Sequence, residues 1–148
     1  MKDFLPSFQK GITAAQNAEK NRDEIDSVFS ALNEQLAAAT EGKVGISRKK
    51  YEHPIDFTKN TLLQMLERKT YWALVVDFIP NATVPPIQIA RWDQSFTGFP
   101  CRVVFGNREY SCEDKAGLEG VLELLLADPE VGNELLKFMN RPLLDTSE

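Results

Sequence analysis

The residues best suited to chemistry in this chain are few and far apart. His53 is the only histidine, so any serine–histidine or cysteine–histidine mechanism would have to use it. Because Pro54 follows it, we expect a turn position in which the imidazole ring packs against a loop. Cys101 and Cys112 are spaced unlike zinc ligands, and the sequence contains no glycine-rich phosphate loop or G-x-S-x-G motif. We therefore expect no metal and no cofactor, and we favour a protein that is not an enzyme.

The strongest enzymatic alternative uses acidic residues near the end of a predicted strand. Glu113-Asp114-Lys115 follows a strand pattern and precedes a helix pattern, and Asp77 and Asp93 lie on earlier predicted strands. The arrangement resembles the acid…E-x-K motif of the restriction-endonuclease-like nucleases, whose carboxylates hold Mg²⁺ and whose lysine steadies the attacking water. The competing and preferred interpretation is that the two carboxylates occupy the first turn of a helix, where negative charge is favourable.

The basic side chains concentrate in residues 41–70, which carry 7 basic and 4 acidic side chains in a chain of net charge −5. They suit either a phosphate-binding edge or a charged strand that resists edge-to-edge aggregation. Of the two tryptophans, Trp92 is the one we expect to be partly exposed in an interface. The predicted binding residues are Arg48, Lys49, Lys50, Tyr51 and Trp92.

These candidates must be positioned by the elements around them, and the first is a long amphipathic segment. Apolar residues recur at spacings of three and four on both sides of a polar block at 19–24. We expect one continuous helix over 1–41, with a helical hairpin that breaks near Asn21 as the alternative. A small domain does not need so long a helix for its own core, so we expect self-association. The predicted oligomerisation residues are Leu5, Phe8, Ile12, Ile25, Phe29, Leu32 and Leu36.

Strand patterns follow at 43–51, 71–79 and 87–92, and a short helix is predicted to start near Asp56. The nearly continuous apolar run of the second strand predicts burial on both faces. A hairpin is predicted around Gly106-Asn107, a dipeptide typical of two-residue turns.

The predicted hairpin register pairs Phe105 with Arg108 and Cys101 with Cys112. We expect the two cysteines to be buried thiols rather than a disulfide, because the chain shows no export signal. The same observation favours the cytoplasm.

Two helices are predicted after the hairpin. Ser111-x-x-Asp114 resembles a capping box, and Asp128-Pro129 resembles an N-cap followed by proline. The expected buried faces are Leu118, Val121, Leu122 and Leu125 in the first helix, and Val131, Leu135, Phe138 and Met139 in the second.

The 148 residues therefore predict an α+β protein with a long N-terminal helix, a small antiparallel sheet of 3–5 strands and two C-terminal helices. The expected organisation is a helical oligomerisation segment (1–41), an α+β domain (42–141) and a flexible tail (142–148).

The expected function is non-catalytic protein binding or regulation in the cytoplasm by a homodimeric adaptor, inhibitor or chaperone-like protein. In size, acidity and expected dimerisation the chain is similar to small secretion chaperones and to inhibitor or immunity proteins. The protein partner is not identified by the sequence. Nucleic-acid binding through 43–69 is possible but not favoured in an acidic chain, and no apolar run is long enough to span a membrane.

Overall fold

The α+β prediction is confirmed by a computed structural model, which describes residues 1–53, 69–78 and 84–140. Its five strands form one antiparallel sheet in sequential order, between the long helix and two C-terminal helices. The helix predicted near Asp56 and the tail at 142–148 lie outside the described residues. The elements are α1 (Leu5–Thr40), β1 (Val44–Glu52), β2 (Thr70–Phe78), β3 (Ile87–Ser95), β4 (Gly98–Phe105), β5 (Arg108–Cys112), α2 (Lys115–Ala127) and α3 (Pro129–Met139).

Helix α1 is continuous over 36 residues, so the hairpin alternative is wrong. The polar block at 19–24 does not break it, because its charged side chains remain at the surface while helical hydrogen bonding continues. The helix ends where Glu41 adopts a left-handed conformation at φ 57°. Gly42 then donates its backbone N–H to the Ala37 carbonyl at 2.8 Å, which satisfies one of the last helical acceptors.

The two halves of α1 have different surroundings. Every residue from 1 to 17 is exposed, whereas Ala18 is buried and Ile25, Val28 and Phe29 are buried in the core that the sheet and α2 form. For four of the predicted oligomerisation residues the prediction was therefore wrong, because they pack within their own chain. Ile25 and Phe29 belong to the core, and Leu32 and Leu36 pack partly buried against it.

The hairpin register is confirmed, with Cys101 opposite Cys112 and Phe105 opposite Arg108. Gly106 and Asn107 both adopt positive φ values, of 58° and 62°, as a two-residue turn of this type requires. Both cysteines are free and buried, as predicted. A hydrogen bond with Cys112, assisted by burial, raises the pKa of the Cys101 thiol and keeps it protonated.

One face of the sheet, which we call the helix face, is covered in part by all three helices. Residues 73–76 of β2 are fully buried, which confirms the prediction that this strand is buried on both faces. Strand alternation assigns every second residue to the helix face. Members of the helix face include Ile46 of β1, Leu74 of β2, Trp92 of β3, Val103 of β4 and Cys112 of β5.

The C-terminal helices differ from prediction in two details. The N-cap of α2 is Asp114, whose carboxylate accepts the Gly117 backbone N–H at 2.7 Å, while Ser111 remains in β5. The predicted stripe of α2 is buried throughout. In α3, Val131 and Phe138 are buried, but Met139, the last residue of the helix, is exposed. None of the helices in the described residues is long and apolar enough to cross a bilayer.

Helix α1 approaches the β3–β4 turn so closely that Gly98 is required there. A Cβ atom at Gly98, where φ is +89°, would lie 2.7 Å from the Asn21 Cβ.

We expect Gly98→Ala to lower the free energy of unfolding by about 1–3 kcal/mol, measured by urea denaturation. Gly120 is the control, since nothing lies within 4 Å of its added Cβ. Gly120→Ala should stabilise α2 by about 0.5–1 kcal/mol. Equal effects at the two glycines would contradict this packing.

Candidate functional site

An open cleft lies on the helix face beside α1, with a volume of about 410 Å³. Strand register builds it: Trp72 lies between Lys50 of β1 and Trp92 of β3 in directly opposed pairs. Since alternate residues share a face, the same register assigns Arg48 and Lys50 to the cleft side of β1. The described residues that line the cleft are Arg48, Trp72, Trp92, Gln94 and Ser95.

The Arg48 guanidinium is fixed in the wall of this cleft. It lies 4.5 Å from the Phe29 ring centroid and 6.0 Å from that of Trp92. Its Nη2 donates to the Asp26 carboxylate at 2.8 Å, and its Nη1 is 3.4 Å from the Gln94 Oε1. The Arg48 side chain is 23% exposed and that of Asp26 is 60% exposed. The arginine is thus oriented by aromatic stacking while its charge partner remains in solvent.

The two tryptophans have the reverse of the predicted exposures. Trp92 is 4% exposed and packs edge-on against Phe29, with the ring centroids 5.4 Å apart. Trp72 is 45% exposed. The prediction for Trp92 was wrong because Phe29 of α1 covers its ring, whereas nearly half of the Trp72 side chain is left uncovered. Trp72 is the indole available to a ligand.

The predicted binding residues are divided between the two faces of the sheet. Arg48, Lys50 and Trp92 are on the helix face. Lys49 points to the opposite face, where its Nζ is 3.1 Å from the Asp77 Oδ1. Tyr51 is on that opposite face too, and it stacks on Tyr71 with centroids 5.8 Å apart.

Sequence reasoning missed three of the lining residues, Trp72, Gln94 and Ser95. The alternation of β1 was visible in the sequence, but its register with β2 and β3 was not. His53 lies near Tyr71, with ring centroids 4.7 Å apart, so its ring packs against strand β2 rather than against a loop.

Part of the free edge of β1 is closed by side chains from α1. The Asn33 carboxamide accepts the Ile46 N–H at 2.7 Å and donates to the Ile46 carbonyl at 2.9 Å. Thr40 accepts the Val44 N–H at 3.2 Å. The N–H and C=O groups of these even-numbered residues therefore point away from β2. Arg48 and Lys50 are the next even-numbered residues of β1, and their main-chain groups point to the same side.

The residues of the nuclease-like motif do not converge. Asp77 and Asp93 lie on the face opposite the helices, separated along the strands by roughly 20 Å according to the β2–β3 register. Asp77 bonds Ser47 and Lys49, and Glu113 accepts from Ser111.

Lys115 instead lines a groove between α1 and α2 on the helix side of the sheet. Across residues 1–53, 69–78 and 84–140, no group of three His, Cys, Asp or Glu side chains is placed to hold a metal ion. The geometry of these residues does not reproduce the acid…E-x-K site.

A second candidate surface is the exposed half of α1. Its large apolar side chains, together with that of the N-cap residue, form what we call the N-terminal stripe. The stripe consists of Phe4, Leu5, Phe8 and Ile12, exposed at 70, 57, 63 and 46% respectively. Apolar side chains of this size on a helix without a neighbour are typical of an interaction surface.

Tryptophan emission tests the assignment of the two indoles. We expect Trp72→Phe to remove most of the emission that acrylamide quenches, because Trp92 is almost fully covered. The matched variant Trp92→Phe should retain a strongly quenched signal from Trp72. Strong quenching in Trp72→Phe with the fold intact by circular dichroism would contradict the described cleft.

Comparisons with known proteins do not place the chain in a family. No protein-family model, no curated protein and no solved structure matches it significantly. The functional interpretation therefore depends on the two surfaces described above, the cleft and the N-terminal stripe.

Proposed function

We propose that the chain is a non-catalytic, cytoplasmic protein-binding or regulatory protein that acts as a homodimer through its N-terminal stripe. The observation that carries this proposal is the exposure of Phe4, Leu5, Phe8 and Ile12 on a helix whose second half is firmly packed. Exposed phenylalanine and leucine side chains cost free energy in water, and burying each one recovers roughly 1.5–3 kcal/mol. A helix–helix contact is the simplest way to bury them.

A second copy is the occupant that best matches the stripe. The stripe consists of large side chains, and the small residues Gly11 and Ala15 lie on the same side of the helix, beside it and just beyond it. In an antiparallel pair of identical helices, Phe8 of one copy lies against Gly11 of the other, and Phe4 lies against Ala15. Large side chains then face small ones on both sides of a two-fold axis, which is the self-complementarity an isologous dimer needs.

The charge pattern also favours this pairing. Between Phe4 and Ala18 the only charged side chain is Lys10, and at 3.6 residues per turn it lies on the side of the helix away from the stripe. Pairing therefore removes almost no charge from water. The contact would run for about 17 Å from Phe4 to Ala15, at 1.5 Å per residue.

Light scattering during size-exclusion chromatography tests the dimer. We expect the wild-type chain to elute as a dimer and the double variant Phe8→Glu/Ile12→Glu to elute as a folded monomer, because two carboxylates per copy cannot be buried unpaired. Lys10→Glu is the control on the far side of the same turn, and it should remain dimeric. A truncation should remove only residues 1–17, since a longer one deletes the buried residue Ala18. A wild-type monomer, or a dimer that survives the double substitution, would refute the proposal.

A further inference from the structure

We propose that the cleft beside α1 binds an acidic peptide segment in which a bulky apolar side chain neighbours a carboxylate. The apolar side chain packs on Trp72, and the carboxylate is held by Lys50 and the guanidinium of Arg48. This inference rests on the proposed protein-binding role and names the chemistry of the partner, but it does not depend on the dimer.

The composition of the cleft defines the class of ligand. Its described lining supplies two indoles, one guanidinium, one amide and one hydroxyl, and it contains no carboxylate. This is unusual in a chain whose net charge is −5. Its volume of about 410 Å³ is within the range typical of ligand pockets and accommodates a bulky side chain together with its main chain. A ligand complementary to such a lining has both an apolar part and negative charge.

One cation lines the cleft and a second lies beside it. Arg48 is part of the lining. Lys50 is not, but it is directly opposite Trp72 in the β1–β2 register, and it makes no ion pair with any described residue. Arg48 uses two of its five N–H donors, on Asp26 and Gln94, and retains others. Because Asp26 is 60% exposed, its ion pair with Arg48 is in solvent and can be replaced by a carboxylate of the ligand.

The arrangement of cations favours a peptide over a nucleic acid. A nucleic-acid strand needs several cations along one surface to neutralise successive phosphates. Here the basic run at 48–50 is split, because Lys49 lies on the opposite face and pairs with Asp77. Arg48 and Lys50 are the two cations of the run on the helix face, and Arg48 already has a carboxylate partner in Asp26. Two cations at one point suit a single carboxylate better than a row of phosphates.

The neighbouring strand edge supplies a way to hold the main chain of a peptide. Even-numbered residues of β1 direct their N–H and C=O groups outward, and Asn33 occupies those of Ile46. At Arg48 and Lys50, no described residue makes a corresponding bond to the outward main-chain groups. An extended segment can pair there as an additional strand and place alternate side chains on the helix face.

A labelled peptide tests this inference directly. The probe is fluorescein-labelled Glu-Phe-Glu-Phe-Glu, with binding measured by fluorescence anisotropy against wild-type protein. We expect Trp72→Ala and Lys50→Ala each to weaken binding at least about tenfold, because each removes one of the two complementary contacts. The matched controls are Lys49→Ala on the opposite face of the same strand and Leu124→Ala, an exposed apolar residue of α2. Both should bind the probe like the wild type.

Three further probes complete the test. Lys-Phe-Lys-Phe-Lys and Glu-Ser-Glu-Ser-Glu should bind much more weakly than the first peptide, and labelled oligothymidine should not displace it. Equal binding of the charge-reversed peptide, equal effects of the two lysine substitutions, or displacement by the oligonucleotide would overturn the inference. The monomeric variant Phe8→Glu/Ile12→Glu should bind the probe normally. If the wild-type chain is a dimer that does not bind the probe, peptide binding in the cleft is refuted and the dimer stands. If the wild-type chain is a monomer that binds the probe, the dimer is refuted and peptide binding in the cleft stands.

Discussion

The contact of Phe29 with Trp92 determines how the rest of the molecule is arranged. The edge of one ring meets the other at a centroid distance of 5.4 Å, and the Arg48 guanidinium lies 4.5 Å from Phe29. This packing fixes α1 across the sheet at one position along its length. Since the helix is 36 residues long and its buried residues begin at Ala18, its first half must extend beyond the domain. The same position of α1 leaves part of the helix face uncovered and so creates the cleft.

The two candidate surfaces are consequences of one packing arrangement, yet they use different residues. The N-terminal stripe ends at Ile12, whereas the α1 residues that contact Arg48 of the cleft are Asp26 and Phe29. Occupation of one surface therefore leaves the other accessible. Their chemistry differs as well, because the stripe is almost free of charge and the cleft combines indoles with cations. This separation is what a protein needs in order to assemble with itself and to bind a different partner.

Local elements were predicted well from the sequence, and long-range relations were not. The register of the β4–β5 hairpin was correct because Gly106-Asn107 allows a two-residue turn, and such a turn fixes every pair that follows. The continuous α1 and the buried stripe of α2 were also correct. The exposures of Trp72 and Trp92 were reversed, because they depend on where a helix distant in sequence crosses the sheet. Met139 was assigned to the core by periodicity alone, which does not show where a helix leaves the core.

Sequence by itself determined which segments are helical or extended, which of their faces are apolar, and that one class of fold accommodates them. These properties follow from local backbone preferences and from periodicities of 3.6 and 2 residues. Only the tertiary structure decided which half of the long apolar stripe is covered, which cations share a face with Trp72, and why the residues of the nuclease-like motif do not meet. The reason is physical: periodicity shows that a face avoids water, but the surface that covers it is supplied by residues distant in sequence.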